Sequence, residues 1–134
     1  MVIVLDASAL MTCLEKQPGY EKVQHLLTRA SESERNLLMS AVNWGEVFYI
    51  MVKNYGQQEA EKIMSVVETF PIEVIDVDVE TARQAALFKA IRKLPYADSF
   101  AAALTKLRKG ELVTGDKEFH TVESEIKISS LKVC

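Results

Sequence analysis

The stretch VIVLDASAL, Val2 to Leu10, changes period at its middle, and that change decides the fold. Residues 2–5 form a short, unbroken apolar run rich in β-branched side chains. Such a run predicts a strand of a parallel sheet, covered on both faces. Asp6 ends it. From there Ala7, Leu10, Met11 and Leu14 recur at i, i+3, i+4 and i+7, the apolar face of a helix. A strand passing into a helix through one acidic residue places a carboxylate at the strand's C-terminal end. In open α/β sheets that is the end where ligands bind.

The same alternation continues outward. Pro18-Gly19 breaks the first helix, and Val23, Leu26, Leu27 and Ala30 mark one face of a second. Residues 36–40, NLLMS, read as a strand. Residues 41–55 give a helix with Trp44, Val47, Phe48, Met51 and Tyr55 as its apolar stripe and Gly56 as its cap. The three aromatic side chains are expected in the core. A further helix is expected over 57–69, stopped by Pro71, then a strand over 72–77 and a helix over 79–93. Leu94-Pro95 ends that helix, and Asp98 falls near the start of another, SFAAALTKLRKG, which Gly110 closes. Residues 112–114 form a minimal strand before the Gly115-Asp116 turn, and 126–133 add one edge strand. Strands alternating with helices predict an α/β domain with a mostly parallel sheet.

A length of 134 residues fits one domain, residues 1–134, and 49% hydrophobic residues supply a sizeable core. No apolar run reaches the roughly 18 residues of a membrane span. Asp6 follows MVIVL too soon for a secretory signal. Cys13 and the terminal Cys134 make no disulfide framework, so a reducing cytoplasm is expected. The net charge of −3 becomes +1 when four focal acids are set aside, so charge neither supports nor excludes a polyanionic substrate.

Those acids are Asp6, Glu46, Asp98 and Asp116. Each falls where a predicted element end or core margin would carry it to one shared edge. Converging carboxylates repel unless a divalent cation neutralises them, which points to magnesium or manganese and phosphate chemistry. Taken singly, Asp6, Asp98 and Asp116 also read as cap or turn residues and Glu46 as a solvated helix residue. Ser8 and Thr114, two residues from Asp6 and Asp116, are placed to donate to a carboxylate. Asn43 lies three residues from Glu46, beside it on the helix.

The remaining candidates carry less. His120, four residues beyond Asp116, reads as a surface histidine, and His25 as solvent-facing. Arg92, Lys93 and Lys117 are open to two readings, phosphate contacts or a solvated face. No GxGxxG, GxxxxGK[ST] or GxSxG motif is present.

The segments VIVLDASAL, AVNWGEVFYIMVKNYG, LPYADSFAAAL and LVTGDKEF, in this order and spacing, resemble PIN-domain ribonucleases, and among them VapC-type toxins of toxin–antitoxin pairs. The similarity runs from Val2 to about Phe119. It implies a three-layer α/β/α fold with a central parallel sheet and Mg²⁺- or Mn²⁺-dependent endoribonuclease activity. Asp6, Glu46, Asp98 and Asp116 match the acidic quartet, and Ser8, Asn43 and Thr114 its supporting polar positions. A homodimer partner and a cognate antitoxin are the implied companions. Some members serve RNA processing without a toxin role. A metal-dependent phosphatase is a further alternative, weakened because Ser8 stands where such enzymes of the haloacid-dehalogenase type place a second Asp.

Overall fold

The computed structural model describes residues 1–131. In chain order it contains β1 (Ile3–Leu5), α1 (Ala7–Leu14), α2 (Tyr20–Ser33), β2 (Leu37–Ser40), α3 (Ala41–Tyr55), α4 (Gln57–Val67) and β3 (Ile72–Ile75). There follow α5 (Val79–Arg92), α6 (Tyr96–Leu107), β4 (Glu111–Thr114), a 3-10 helix over Lys117–Val122 and β5 (Lys127–Ser130). The five strands form one sheet in the order β3-β2-β1-β4-β5, and every pairing is parallel. The expected parallel α/β sheet is therefore present without an antiparallel member. The predicted edge strand starts and ends within the described residues, and its expected extension to residue 133 lies outside them, as does Cys134.

Period-two alternation along the strands splits the interior into two cores. Leu5, Leu37, Met39 and Val113 face a core shared with α1, α2, α3 and α4. Val4, Leu38 and Leu112 face the opposite core, shared with α5, α6 and the 3-10 helix. Two helical layers thus enclose the sheet, which gives the three-layer arrangement. α6 explains why a run such as AAAL belongs here. All eight residues from Asp98 to Thr105 are buried, and small side chains let the helix lie close against β1, β2 and β4.

Chain direction reverses across the middle of the sheet. From β1 the chain crosses to β2 and β3 on one side, then returns to β4 and β5 on the other. β1 and β4 are neighbours in register, Leu5 opposite Val113. Asp6 and Thr114 consequently leave the sheet side by side at its carboxyl end. This is the topological switch point, where a crevice opens between diverging connections.

One sequence expectation needs correcting and another gains a second reason. Tyr55 does not join the core: it is 51% exposed, and its hydroxyl donates to Glu15 at 3.1 Å. Val47 and Met51 carry the buried face of α3, with Trp44 and Phe48 half-buried and stacked at 5.7 Å. Gly110 closes α6 beyond its Arg108 cap, its N–H donating to the Thr105 carbonyl oxygen at 3.0 Å, but a second contact is what demands glycine. A β-carbon at position 110 would stand 2.6 Å from the Val2 carbonyl oxygen, whose partner is the Glu111 N–H. Glycine is required there by the close approach of β4 to β1.

Gly110→Ala should therefore lower stability by about 1–3 kcal/mol through a forced backbone shift. Urea unfolding followed by circular dichroism would measure it. An unchanged midpoint would show that the β1–β4 contact can yield at no cost.

Candidate functional site

Asp6 occupies the residue between β1 and α1 and caps the helix, its Oδ1 accepting from the Ala9 N–H at 2.8 Å. The Ser8 hydroxyl lies 2.8 and 2.9 Å from the two carboxylate oxygens and donates to them, and the Thr114 hydroxyl donates to Oδ2. Ser8 in turn accepts from the Gly115 N–H at 2.9 Å, and Thr114 from the Asp116 N–H at 2.9 Å. The buried Asp6 side chain is thus held from both strands that meet at the switch point. A buried carboxylate without such donors would be strongly destabilising.

Asp116 opens the 3-10 helix, accepting from the Glu118 N–H at 2.9 Å. Glu46 projects from α3, half-buried. Asp98 lies in the first turn of α6 but does not cap it: the capping position is Pro95, three residues nearer the N-terminus than the sequence suggests. Asn43, wholly buried, joins α3 to α6 by donating to the Ala97 carbonyl oxygen at 3.1 Å. Glu46 and Asp98 are thereby carried to the same crevice as Asp6 and Asp116.

The electrostatics show how close the four are. Burial pushes Asp98 up to about 8, reinforced by a hydrogen bond with the Asp116 carboxyl and by the charges of Asp116, Asp6 and Glu46. Burial also pushes Asp6 up to about 6, against the pull of its hydrogen bonds from Thr114, Ala9 and Ser8, with the Asp116 charge adding to the rise. Glu46 is raised for the same first reason. A hydrogen bond from Asn43 opposes that shift, and Asp116 adds repulsion. Three buried oxygens here have no hydrogen-bond partner: Asp98 Oδ2, Glu46 Oε1 and Asn43 Oδ1.

Hard oxygen donors, mutual repulsion and unpartnered buried oxygens fit a divalent cation. Among the described residues, however, no group of three or more acidic, histidine or cysteine side chains is already drawn in to metal-binding geometry. The donor set suits the ion; its final approach distances are not built into the fold.

Of the other sequence candidates, His120 is exposed, 3.4 Å from Glu123 Oε2, and forms no pair with Asp116. His25 is exposed as expected. Arg92 pairs with Glu125 at 2.7 Å on the surface. Sequence reasoning missed the Ala97 carbonyl, a backbone atom with no residue signal, and Thr12. Thr12 stands four residues after Ser8, on the same helix face, and spacing alone could have flagged it.

The raised carboxyls fix the sign of a pH effect. Both Asp6 and Asp98 bind protons more tightly folded than unfolded, so stability falls as pH rises from about 4 through about 6 and then about 8. For Asp6 the loss amounts to about 3 kcal/mol. In EDTA, Asp98→Asn should be more stable than wild type at pH 8, with the gap closing toward pH 5. Parallel thermal melts across that range would test this. A gap independent of pH would show that Asp98 is not under charge stress.

A family model described as PIN domain matches residues 3–125. No significant match to a curated protein sequence is found. Among solved structures, DNA-bound VapBC from Salmonella typhimurium aligns at 19% identity with a TM-score of 0.75, covering 98% of this chain and 99% of that one. A toxin–antitoxin complex from Klebsiella pneumoniae aligns at 15% identity and 0.70, covering 98% and 99%. VapC20 of Mycobacterium tuberculosis, a sarcin-ricin loop cleaving toxin, aligns at 15% identity and 0.63, covering 92% and 95%. At these identities the likeness is one of fold, and with the family match over nearly the whole chain the conclusion is plain: the protein belongs to the PIN domain family.

Proposed function

We propose that this protein is a metal-dependent endoribonuclease, the VapC-type toxin of a toxin–antitoxin pair acting in the cytoplasm. One observation carries the reading: four carboxylates share the switch-point crevice, and buried oxygens of two of them, Asp98 and Glu46, have no partner in the protein. A fold that spends burial on unpaired carboxylate oxygens needs a cation to stabilise them. PIN family membership and the fold likeness to toxins in toxin–antitoxin complexes supply the rest. By the same likeness a cognate antitoxin and a second copy of the chain are the proposed partners. No helix among the described residues is long and apolar enough to cross a membrane.

Asp6, Asp98 and Asp116 would hold Mg²⁺ or Mn²⁺, with Glu46 completing the set or orienting water. Such an ion supplies hydroxide near neutral pH and offsets charge on the phosphoryl oxygens. The chain's own contribution is positional. Ser8 and Thr114 fix the Asp6 carboxylate, leaving it little freedom to rotate. Asn43 holds the start of α6 against α3, which sets the separation of Asp98 from Glu46. Glu46, on the α3 side, would orient or deprotonate a water approaching the phosphate. Cys13 is not activated as a covalent nucleophile: it is half-buried, with its thiol pushed up by burial.

Purified protein incubated with total RNA should release discrete new 5′ ends in Mg²⁺ or Mn²⁺ and none in EDTA. Asp98→Asn should abolish them while leaving the circular dichroism spectrum unchanged. Thr114→Val should reduce cleavage about 10- to 100-fold. Cleavage that persists in EDTA, or at full rate in Asp98→Asn, would overturn the assignment.

A further inference from the structure

A groove of about 640 Å³ opens directly beside the carboxylates and shares Ser8 and Gly115 with their surroundings. Its volume falls in the range of small-ligand sites, roughly 300–1,000 Å³. One wall is the face of α1 carrying Ser8, Met11 and Thr12, and Gln17 follows in the loop after that helix. Lys117, the first residue of the 3-10 helix, also lines it. The loop wall is set firmly: Gly19 has φ +97°, and a β-carbon there would stand 2.7 Å from the Leu131 carbonyl oxygen.

The lining is chemically unspent. Among the described residues, the side chains of Thr12 and Gln17 make no hydrogen bond and Lys117 makes no ion pair, although Lys117 lies next to Asp116 in sequence. Met11 supplies an apolar surface between them. Glu15 marks the far end, its carboxylate accepting from Tyr55. A polyanionic backbone is repelled from that end, whereas an uncharged base is not. One cation at the carboxylate side, an apolar wall, a hydroxyl and an amide match a single nucleotide entering base first.

We propose that this groove receives the base of the nucleotide adjoining the scissile phosphate, with Lys117 meeting its phosphate and Thr12 and Gln17 selecting the base. Phosphate contacts position a strand, and base contacts specify it. Unpaired RNA presents its base edges to such side chains. The inference rests on the nuclease reading of the adjacent acids, and the experiment separates the two.

Fluorescent single-stranded ribo-oligonucleotides, each varied through four bases at one position, are titrated against Asp98→Asn protein in Mg²⁺. The same background then carries Thr12→Val, Gln17→Ala or Lys117→Gln. Thr12→Val and Gln17→Ala should flatten discrimination at one nucleotide by roughly five- to hundred-fold. Lys117→Gln should weaken every sequence alike and reduce the log–log salt slope by about 0.7. In the wild-type background the captured 5′ ends should lose their base bias at the matching position. Base preference and affinity unchanged by all three substitutions overturn the proposal. Should those variants also lose a protein partner that wild type retains on purification, the groove is a peptide site instead. Absence of metal-dependent cleavage by wild type sinks the nuclease alone, because the binding titrations still report on the groove.

Discussion

Burial of negative charge at the carboxyl end of the sheet is the constraint around which this molecule is arranged. Asp6 is almost fully enclosed, and enclosure alone would expel its charge. Three donors oppose that: a backbone N–H from the first turn of α1 and two hydroxyls, Ser8 and Thr114. Those hydroxyls are themselves fixed by the Gly115 and Asp116 N–H groups. The arrangement requires β1 and β4 to be adjacent and parallel, and requires the chain to turn sharply after each. Sheet order and site are therefore one requirement seen at two scales.

The two helical layers complete it from opposite sides. α3 begins directly after β2 with Ser40 as its cap, and α6 begins after Pro95. Both point their N-terminal turns at the crevice, where the partial positive charge of a helix start lowers the cost of acids such as Asp98. The Asn43 bond to the Ala97 carbonyl is the direct tie between them. Without it the separation of Glu46 from Asp98 would depend on apolar contacts alone, which are less directional than a hydrogen bond.

Much of this was legible in the residues. VIVLDASAL revealed the β1–α1 unit because its period changes within nine residues, and α3 was found end to end because a long apolar stripe runs into Gly56. Three of the four acids drew attention because they stand at breaks in such a pattern, and Glu46 because it lies at the margin of the α3 stripe. What could not be read was the strand order, since nothing local to β4 says that it pairs with β1 rather than β3. The start of α6 was misplaced by three residues because Pro95 itself serves as the cap, with no side-chain donor or acceptor to advertise it. Tyr55 was misjudged because periodicity reports which face a residue occupies and not whether the sheet extends far enough to cover it. Gly110 was legible as a helix terminator, but the contact that demands glycine, the Val2 carbonyl, lies 108 residues away in the chain.

The oxygens with partners and those without fall on different parts of the fold, and this division has a physical consequence. Asp6 and Asp116, on the connections leaving the sheet, have donors from neighbouring backbone or hydroxyl groups. Asp98 and Glu46, on the helices, each keep one buried oxygen unpartnered, as does Asn43 between them. The donors on the sheet side offset part of the cost of burying Asp6, while the helix side keeps the oxygens that have no partner. Under the proposed reading, a cation entering the crevice would gain most from Asp98 and Glu46, because those oxygens have nothing else in the protein to satisfy them. The orientation of Asp6 is already determined by its bonds to residues of β4 and of α1. The division would let the sheet side aim an ion and the helix side supply the oxygens that gain most from it.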